Sequence, residues 1–395
     1  MPDNIEYKKK EIPGSVEKIG WILLGLGVIL GAVAFLVDSS RAFFTYLITF
    51  MFVLSVAVGA LFIVALEYLA GADWSVPFRR IPEFFAGAIP FLALLVIPLL
   101  FGFHDLFHWT HTEDVEADKI LQGKTPYLNE VFFIIRTVFC IGVWYIFYRL
   151  FTRNSRKQDE TGDQLLTRKN ITLSAIFIPV FAVTITIAAV DWLMTLEPHW
   201  FSTIFGIYFF SGSMIATLAA ITLTAVLLKE KGYLHPKITN EHFYSLGALM
   251  FAFVNFWAYI AFSQYMLIWY ADLPETTFWF LQRWEGPMMY ISIGLIFVHF
   301  VIPYFGLVSL PSKTDPKRLK IMSVWLLFAH GLNLYWLIMP TYFSGKEVPV
   351  ITWMDFTFPL IAIALFIIIF VIHAKKFNLM PVRDPKLRKG LDFHL

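Results

Sequence analysis

The segment FGFHDLFHWTH places His104, His108 and His111 at i, i+4 and i+7, with Asp105 beside the first of them. On one continuous helix these three histidines share a face. A histidine with an ordinary pKa of about 6.5 can accept a proton from a hydroxyl at ambient pH, and a carboxylate raised by burial can pass that proton on. Placed at the edge of a membrane, such a set suits a quinol pocket from which protons leave outward. The plainer alternative is a set of charges facing water or a bound subunit. The spacing also resembles a metal triad, but zinc or copper needs ligands that converge, which spacing alone does not supply, so no metal site is assigned.

Other ionisable residues fall near the same ends of the expected spans, among them Glu130, Arg136, Asp191, Glu197, His199 and Arg283. An ionisable group inside a bilayer costs at least about 2.5–3.5 kcal/mol on insertion scales, which makes each one a functional candidate by default. Asp191 is the sharpest case, because it follows the apolar run FAVTITIAAV before the helix end. Arg136 and Arg283 are similarly inset and are read either as quinone-pocket residues or as the ion-pair partner of Asp191. Glu67, His299 and His330 are candidates for a proton path, and the two histidines also for a b-type haem, which would need both ligands facing each other. Hydrogen-bonded packing explains a lone membrane histidine equally well. The same holds for Asn255, Ser263 and Gln264, and for Ser211 and Ser213.

Membrane helices must position these groups. The 395 residues are 58% hydrophobic and 15% charged, far from a soluble domain, and the apolar runs are too long and continuous for barrel strands. Spans are predicted at about 19–37, 42–69, 82–103, 128–151 and 171–196, then at about 200–228, 243–270, 278–308, 319–339 and 353–374. The whole chain, 1–395, reads as one polytopic domain: a polar segment 1–18, ten spans over 19–374, and a basic tail 375–395. The polar start is not that of a cleavable signal peptide.

Lysine and arginine orient this all-α bundle. Lys8, Lys9, Lys10, Lys18, Arg79, Arg80 and most later basic residues fall on one side of a ten-span arrangement, against only Arg41, Lys119, Lys124 and Lys346 on the other. The positive-inside rule then places both termini in the cytoplasm. Eight tryptophans (Trp109, Trp192, Trp200, Trp269, Trp279, Trp284, Trp336 and Trp353) fall near outer ends, as in an interfacial belt. Trp109 paired with Trp269, and Arg136 with Arg283, suggest a parallel repeat: two four-helix bundles, spans two to five and six to nine, flanked by spans one and ten. A single cysteine, Cys140, rules out a CxxCH haem, an iron–sulfur cluster or a disulfide within the chain. The net charge of +2 gives no hint of nucleic-acid binding.

DWLMTLEPHWFSTIFGIYFFSGS, AFSQYMLIWYADLPE and HDLFHWTH resemble the membrane subunits of alternative complex III, a quinol:cytochrome c oxidoreductase. More broadly they are similar to the NrfD and polysulfide-reductase membrane-anchor family. The ten-span layout matches over essentially the whole chain, and the length fits the smaller of the two related membrane subunits.

The resemblance implies a bacterial inner-membrane subunit without a redox cofactor of its own. Its partners would be a paralogous membrane subunit, an iron–sulfur subunit, c-type cytochrome subunits and, beyond them, a terminal oxidase. Menaquinol or ubiquinol would bind near the outer surface, with His104 or His108, Asp105 and Asp191 as the matching candidates, and proton translocation would draw on Glu67, Asp191, His299 and His330. Two other classes stay open: a stand-alone secondary transporter and a di-haem b-type membrane cytochrome. Transporters usually break helices at matching positions of each repeat, and Pro179 and Pro303 do not match.

Overall fold

The structure, a computed structural model, describes residues 11–346 and 348–394; Lys8, Lys9 and Lys10 lie outside the described residues. Ten helices are long and apolar enough to cross a membrane: α1 (Gly14–Val37), α2 (Ser39–Ala70), α3 (Val76–Phe101), α4 (Glu130–Thr161), α5 (Leu165–Leu196), α6 (Phe205–Glu230), α7 (Asn240–Ala271), α8 (Met288–Leu307), α9 (Pro316–Phe343) and α10 (Trp353–Lys376). No strand occurs among the described residues. Helices satisfy their backbone groups within the segment, which is what a bilayer demands.

The chain is a multi-pass membrane protein, and burial separates its helices into an inner and an outer set. The inner helices α2 and α6 are buried along most of their length, whereas α1 and α4 leave Ile22, Leu36, Val131 and Val138 exposed as a lipid-facing surface. Helix α6 packs on α2, α5, α7 and α9; α2 also packs on α3, α5 and α9. Helices α1 and α10 lie against each other. Their contact is close because Gly20, Gly27 and Gly31 of α1 face Ile368, Ile361 and Phe358, where a Cβ would come within 2.8 Å.

Helices α2 and α6 meet at an equally tight point. A Cβ on Gly59 would lie 2.2 Å from Thr217 Oγ1, and that hydroxyl donates to the Ser55 carbonyl at 3.2 Å. Gly59→Ala is therefore expected to destabilise the bundle by about 1–3 kcal/mol through overpacking. Equilibrium unfolding in mixed micelles checks this, and an unchanged midpoint would show that the two helices can separate freely there.

Loops that a ten-span chain should bring to one face do meet. On the face where α1 begins and α10 ends, Lys375 pairs with Glu17, Asp384 with Arg79, and Lys237 with Asp392 at 2.5 Å. The segment after α10 is thus no loose basic tail. Leu379, Met380, Leu387 and Leu391 are buried, and Asp384 is 6% exposed, so it packs across the loops at the base of α3 and α7. On the opposite face, Arg41 binds Asp355 at 2.7 Å and the Pro349 and Val350 carbonyls, and Tyr342 donates to Asp38 at 2.7 Å.

Three expectations need correction. The long eighth span at 278–308 is two helices, the short Pro274–Trp284 and α8, because Gly286 adopts φ +52° and Pro287 follows it. Five of the eight outer-end tryptophans, Trp109, Trp192, Trp200, Trp279 and Trp336, are buried in protein; Trp269, Trp284 and Trp353 are exposed as a belt would require. Aromatic partners draw the five inward, as in the stacked Trp200–Trp279 pair with centroids 4.3 Å apart. The repeat pairs also differ in setting: Trp109 is buried where Trp269 is exposed, and Arg136 lies in α4 where Arg283 lies on the short separate helix.

Candidate functional site

The histidine segment does not continue helix α3. The helix stops at Phe101, where a Cβ on Gly102 would sit 2.3 Å from the Phe43 ring, and Phe107 and His111 are extended. Past Gly102 the chain makes a turn at Phe103–Leu106, a tighter one at His108–Thr110, and a short helix at Thr112–Ala117. Aromatic anchors decide this path. Phe103, Phe107 and Trp109 pack on Phe133 with centroids 4.9, 5.3 and 5.8 Å away, and Phe133 packs on Trp192 at 4.8 Å. With those three rings held inward, His104, Asp105 and His108 point out and are exposed.

The histidines therefore share no helical face, yet the fold gathers them. The His104 and His108 rings lie 5.7 and 5.8 Å from that of His111. His111 Nε2 is 3.0 Å from the His104 carbonyl, and His104 Nδ1 is 2.9 Å from Thr110 Oγ1. His104 Nε2 also comes within 3.9 Å of Glu130. Glu130 lines an open cleft of about 340 Å³, together with Trp109, Thr110, Val115, Glu116 and Leu128. That volume lies at the lower end of the range for small-molecule sites.

Asp191 lies beneath this region, 1% exposed near the end of α5. Arg136 Nε and Nη2 donate to its two oxygens at 2.7 and 3.0 Å, and the Tyr127 hydroxyl donates to it at 2.9 Å. Arg136 also donates to the Tyr127 carbonyl at 3.0 Å and lies 3.8 Å over the Tyr127 ring. A fork-to-fork pair in which each guanidinium nitrogen makes a hydrogen bond is an arrangement in which a buried charge is tolerated. Tyr127 precedes Leu128, Asn129 and Glu130 of the cleft wall, so the network borders the cleft through one short stretch of chain. A cavity of about 10 Å³ beside Arg136, Asp191, Thr137 and Cys140 has room for about one water.

Arg283 does not join Asp191. It is fully buried, donates to the Trp279 and Leu337 carbonyls at 2.8 and 3.0 Å, and lies 3.3 Å over the Trp279 ring. Of the two arginines read as partners for Asp191, only Arg136 takes that place.

The proposed path residues belong to separate networks. Glu67 accepts from Arg79 at 2.6 Å, and Arg79 also binds Asp384 and the Tyr68 hydroxyl, so Glu67 forms part of a buried lock at the face where α10 ends. His330 lies within α9, with Nε2 3.1 Å from Ser55 Oγ, which in turn meets Ser213 Oγ at 3.1 Å. His299 sits in a widened π turn, Ile296–Val301. Pro303 explains the widening, because it has no N–H to offer the carbonyl four residues back, that of His299. The His299 ring stacks on Trp257 at 3.9 Å, and neither ring nitrogen has a protein hydrogen-bond partner. The Trp257 indole N–H and Gln264 Oε1 also lack partners. Buried polar groups left this way are costly, and π turns recur at functional sites.

No protein-family model matches the chain, and no curated protein does. The site is therefore read from its geometry.

Two side chains matter more than their sequence context suggested. Tyr127 supplies both a hydroxyl and a carbonyl to the Asp191 network, although it lies in a polar loop with no helical register to mark it. Glu197, half-buried just beyond α5, is pushed above the ordinary glutamate pKa by burial, and it accepts from Thr341 at 3.0 Å. On the same face, a hydrogen bond to His199 at 2.5 Å holds Asp118 below the ordinary aspartate value.

Proposed function

We propose that this chain is an integral membrane subunit of a respiratory quinol:cytochrome c oxidoreductase of the alternative complex III type, in a bacterial inner membrane with both termini cytoplasmic. It contributes quinol binding, scaffold and a proton exit, while electrons pass to iron–sulfur clusters and haem c on partner subunits. The observation that carries the reading is the outer-end cleft, walled by Glu130 next to His104 and bordered by the buried Arg136–Asp191–Tyr127 network. In this reading the quinol ring enters the cleft, His104 or Glu130 accepts the hydroxyl proton, and water at the open mouth takes it away. Asp191, held by Arg136 and Tyr127 beside that wall, takes part in the onward proton transfer, and His108 lies two residues from Thr110 of the cleft wall.

The oxidation of a quinol releases two electrons, and the single cysteine and scattered histidines of this chain offer them no obvious relay. Partners are thus part of the proposal: a paralogous membrane subunit, an iron–sulfur subunit, c-type cytochromes and a terminal oxidase, with the bilayer around them. Glu67, His299 and His330 are assigned here to packing and internal hydration, not to one continuous path.

Gentle detergent extraction of the native protein, followed by identification of co-purifying chains and a reduced-minus-oxidised spectrum, tests the assignment. Companion chains bearing haem c and iron–sulfur centres, with quinol:cytochrome c activity, are expected. A chain that purifies alone and moves a solute across liposomes would replace this reading with the transporter. A b-type band belonging to the chain itself would replace it with the membrane cytochrome.

A further inference from the structure

We propose that His108, His111 and Asp114 form a binding site for a divalent transition metal ion of the zinc class, at the rim of the outer-end cleft. Their ligand atoms all lie within 4.8 Å of one another, and His108 Nδ1 and His111 Nδ1 each come within 3.2 Å of the same oxygen, Asp114 Oδ2. Zinc bonds of about 2.0–2.1 Å in a tetrahedron set neighbouring ligands about 3.3 Å apart. Two of the three edges already have that length. The third closes by a small rotation of exposed side chains.

The tautomer of His111 points the same way. Its Nε2 faces the His104 carbonyl at 3.0 Å, a pure acceptor, so that nitrogen carries the proton. His111 Nδ1 faces Asp114 Oδ2 at 3.2 Å, and the His108 Nδ1 converges on the same oxygen at 3.2 Å. One dication among the three atoms would accept a lone pair from each of them at once. A ligating histidine that donates its other N–H to a carbonyl is the usual arrangement around such metals.

The donor set also selects the ion. Two imidazoles with one carboxylate suit zinc, copper or nickel, whereas calcium and magnesium prefer all-oxygen shells. Three protein ligands leave a fourth position for water or for a side chain of a docked subunit. Binding would tie the His108–Thr110 turn to the Thr112–Ala117 helix, and Thr110 and Thr112 both line the cleft. The metal would thereby set the shape of the cleft mouth. The site stands on its own geometry and does not depend on the quinol reading.

The test uses the untagged full chain in detergent, stripped with a chelator and titrated with zinc chloride by calorimetry. One saturable site is expected. Loss of a partner that merely orients a ligand already costs about 10–100-fold in affinity, so His108→Ala and His111→Ala should each weaken binding by at least about 100-fold. His199→Ala, on the same face but paired with Asp118, should leave the affinity unchanged. Cobalt bound at the site should give a tetrahedral visible spectrum that His111→Ala abolishes. The ligand side chains are about half exposed, so the variants should melt with the wild type in the presence of chelator. Absence of a saturable site in the wild type, wild-type affinity in both histidine variants, or equal loss in His199→Ala would each overturn the proposal.

Discussion

Arg79→Leu is expected to destabilise the protein by about 3–5 kcal/mol, because removal of one partner strands the others as uncompensated buried charge. Arg79 is 2% exposed and binds Glu67 at 2.6 Å, Asp384, and the Tyr68 hydroxyl at 3.1 Å, while its guanidinium lies 4.3 Å from the Tyr68 ring centroid. Glu67 and Asp384 come from α2 and from the segment after α10, so the loss also frees that segment from the base of the bundle. Beside it, Arg80 is already engaged with Glu83 and, at 2.6 Å, with Asp159 of α4. Unfolding by urea or by denaturing detergent in mixed micelles measures the effect. The further changes Glu67→Gln and Asp384→Asn in the same chain should recover most of the loss, since neutral amides remove the stranded charge. A shift within the range of an exposed ion pair, about 0–1 kcal/mol, would show that water reaches this cluster.

A second large effect is expected at Asp191, and it separates stability from activity. Arg136→Leu should cost about 3–5 kcal/mol by leaving the Asp191 carboxylate buried with only Tyr127. Arg136→Leu combined with Asp191→Leu should regain most of that stability, as apolar replacement of a buried pair often does. Asp191→Asn keeps the shape and the Tyr127 contact, and in the assembled complex it should lower quinol oxidation by at least about tenfold without preventing assembly. The double variant should assemble and remain slow. If it recovers both stability and turnover, the network holds the helices together and has no part in the chemistry. Unchanged turnover in Asp191→Asn would remove Asp191 from the proposed site.

These same residues mark how far the sequence reaches. The apolar runs alone locate ten spans, because a bilayer allows only long continuous helices and their ends fall where charge and proline return. The gathering of Lys237, Arg79, Arg80 and the segment 375–394 on one face also follows from counting spans in sequence. Asp191 and Arg136 are visible as inset charges, since the expense of a lone charge in lipid marks it whatever the fold. Which arginine meets Asp191 is not visible. Arg136 and Arg283 look alike in sequence, but Arg283 lies on the short helix before the Gly286 turn and donates to the Trp279 and Leu337 carbonyls instead.

Hydropathy reports how apolar a segment is but not which way each ring points, so five tryptophans assigned to the interface proved to be buried. The histidine segment shows the same division of labour. Residue types and the chemistry they can perform are legible in FHDLFHWTH, and helical spacing arranges them on one face. In the fold, Phe103, Phe107 and Trp109 anchor inward on Phe133, the helix ends at Gly102, and a different set, His108, His111 and Asp114, converges. By itself the sequence determined the solvent this chain lives in, the ten helices long and apolar enough to cross it, and the kinds of group that follow α3. Tertiary structure alone decided which of those groups meet, because convergence depends on contacts between residues far apart in the chain, and local periodicity carries no record of them.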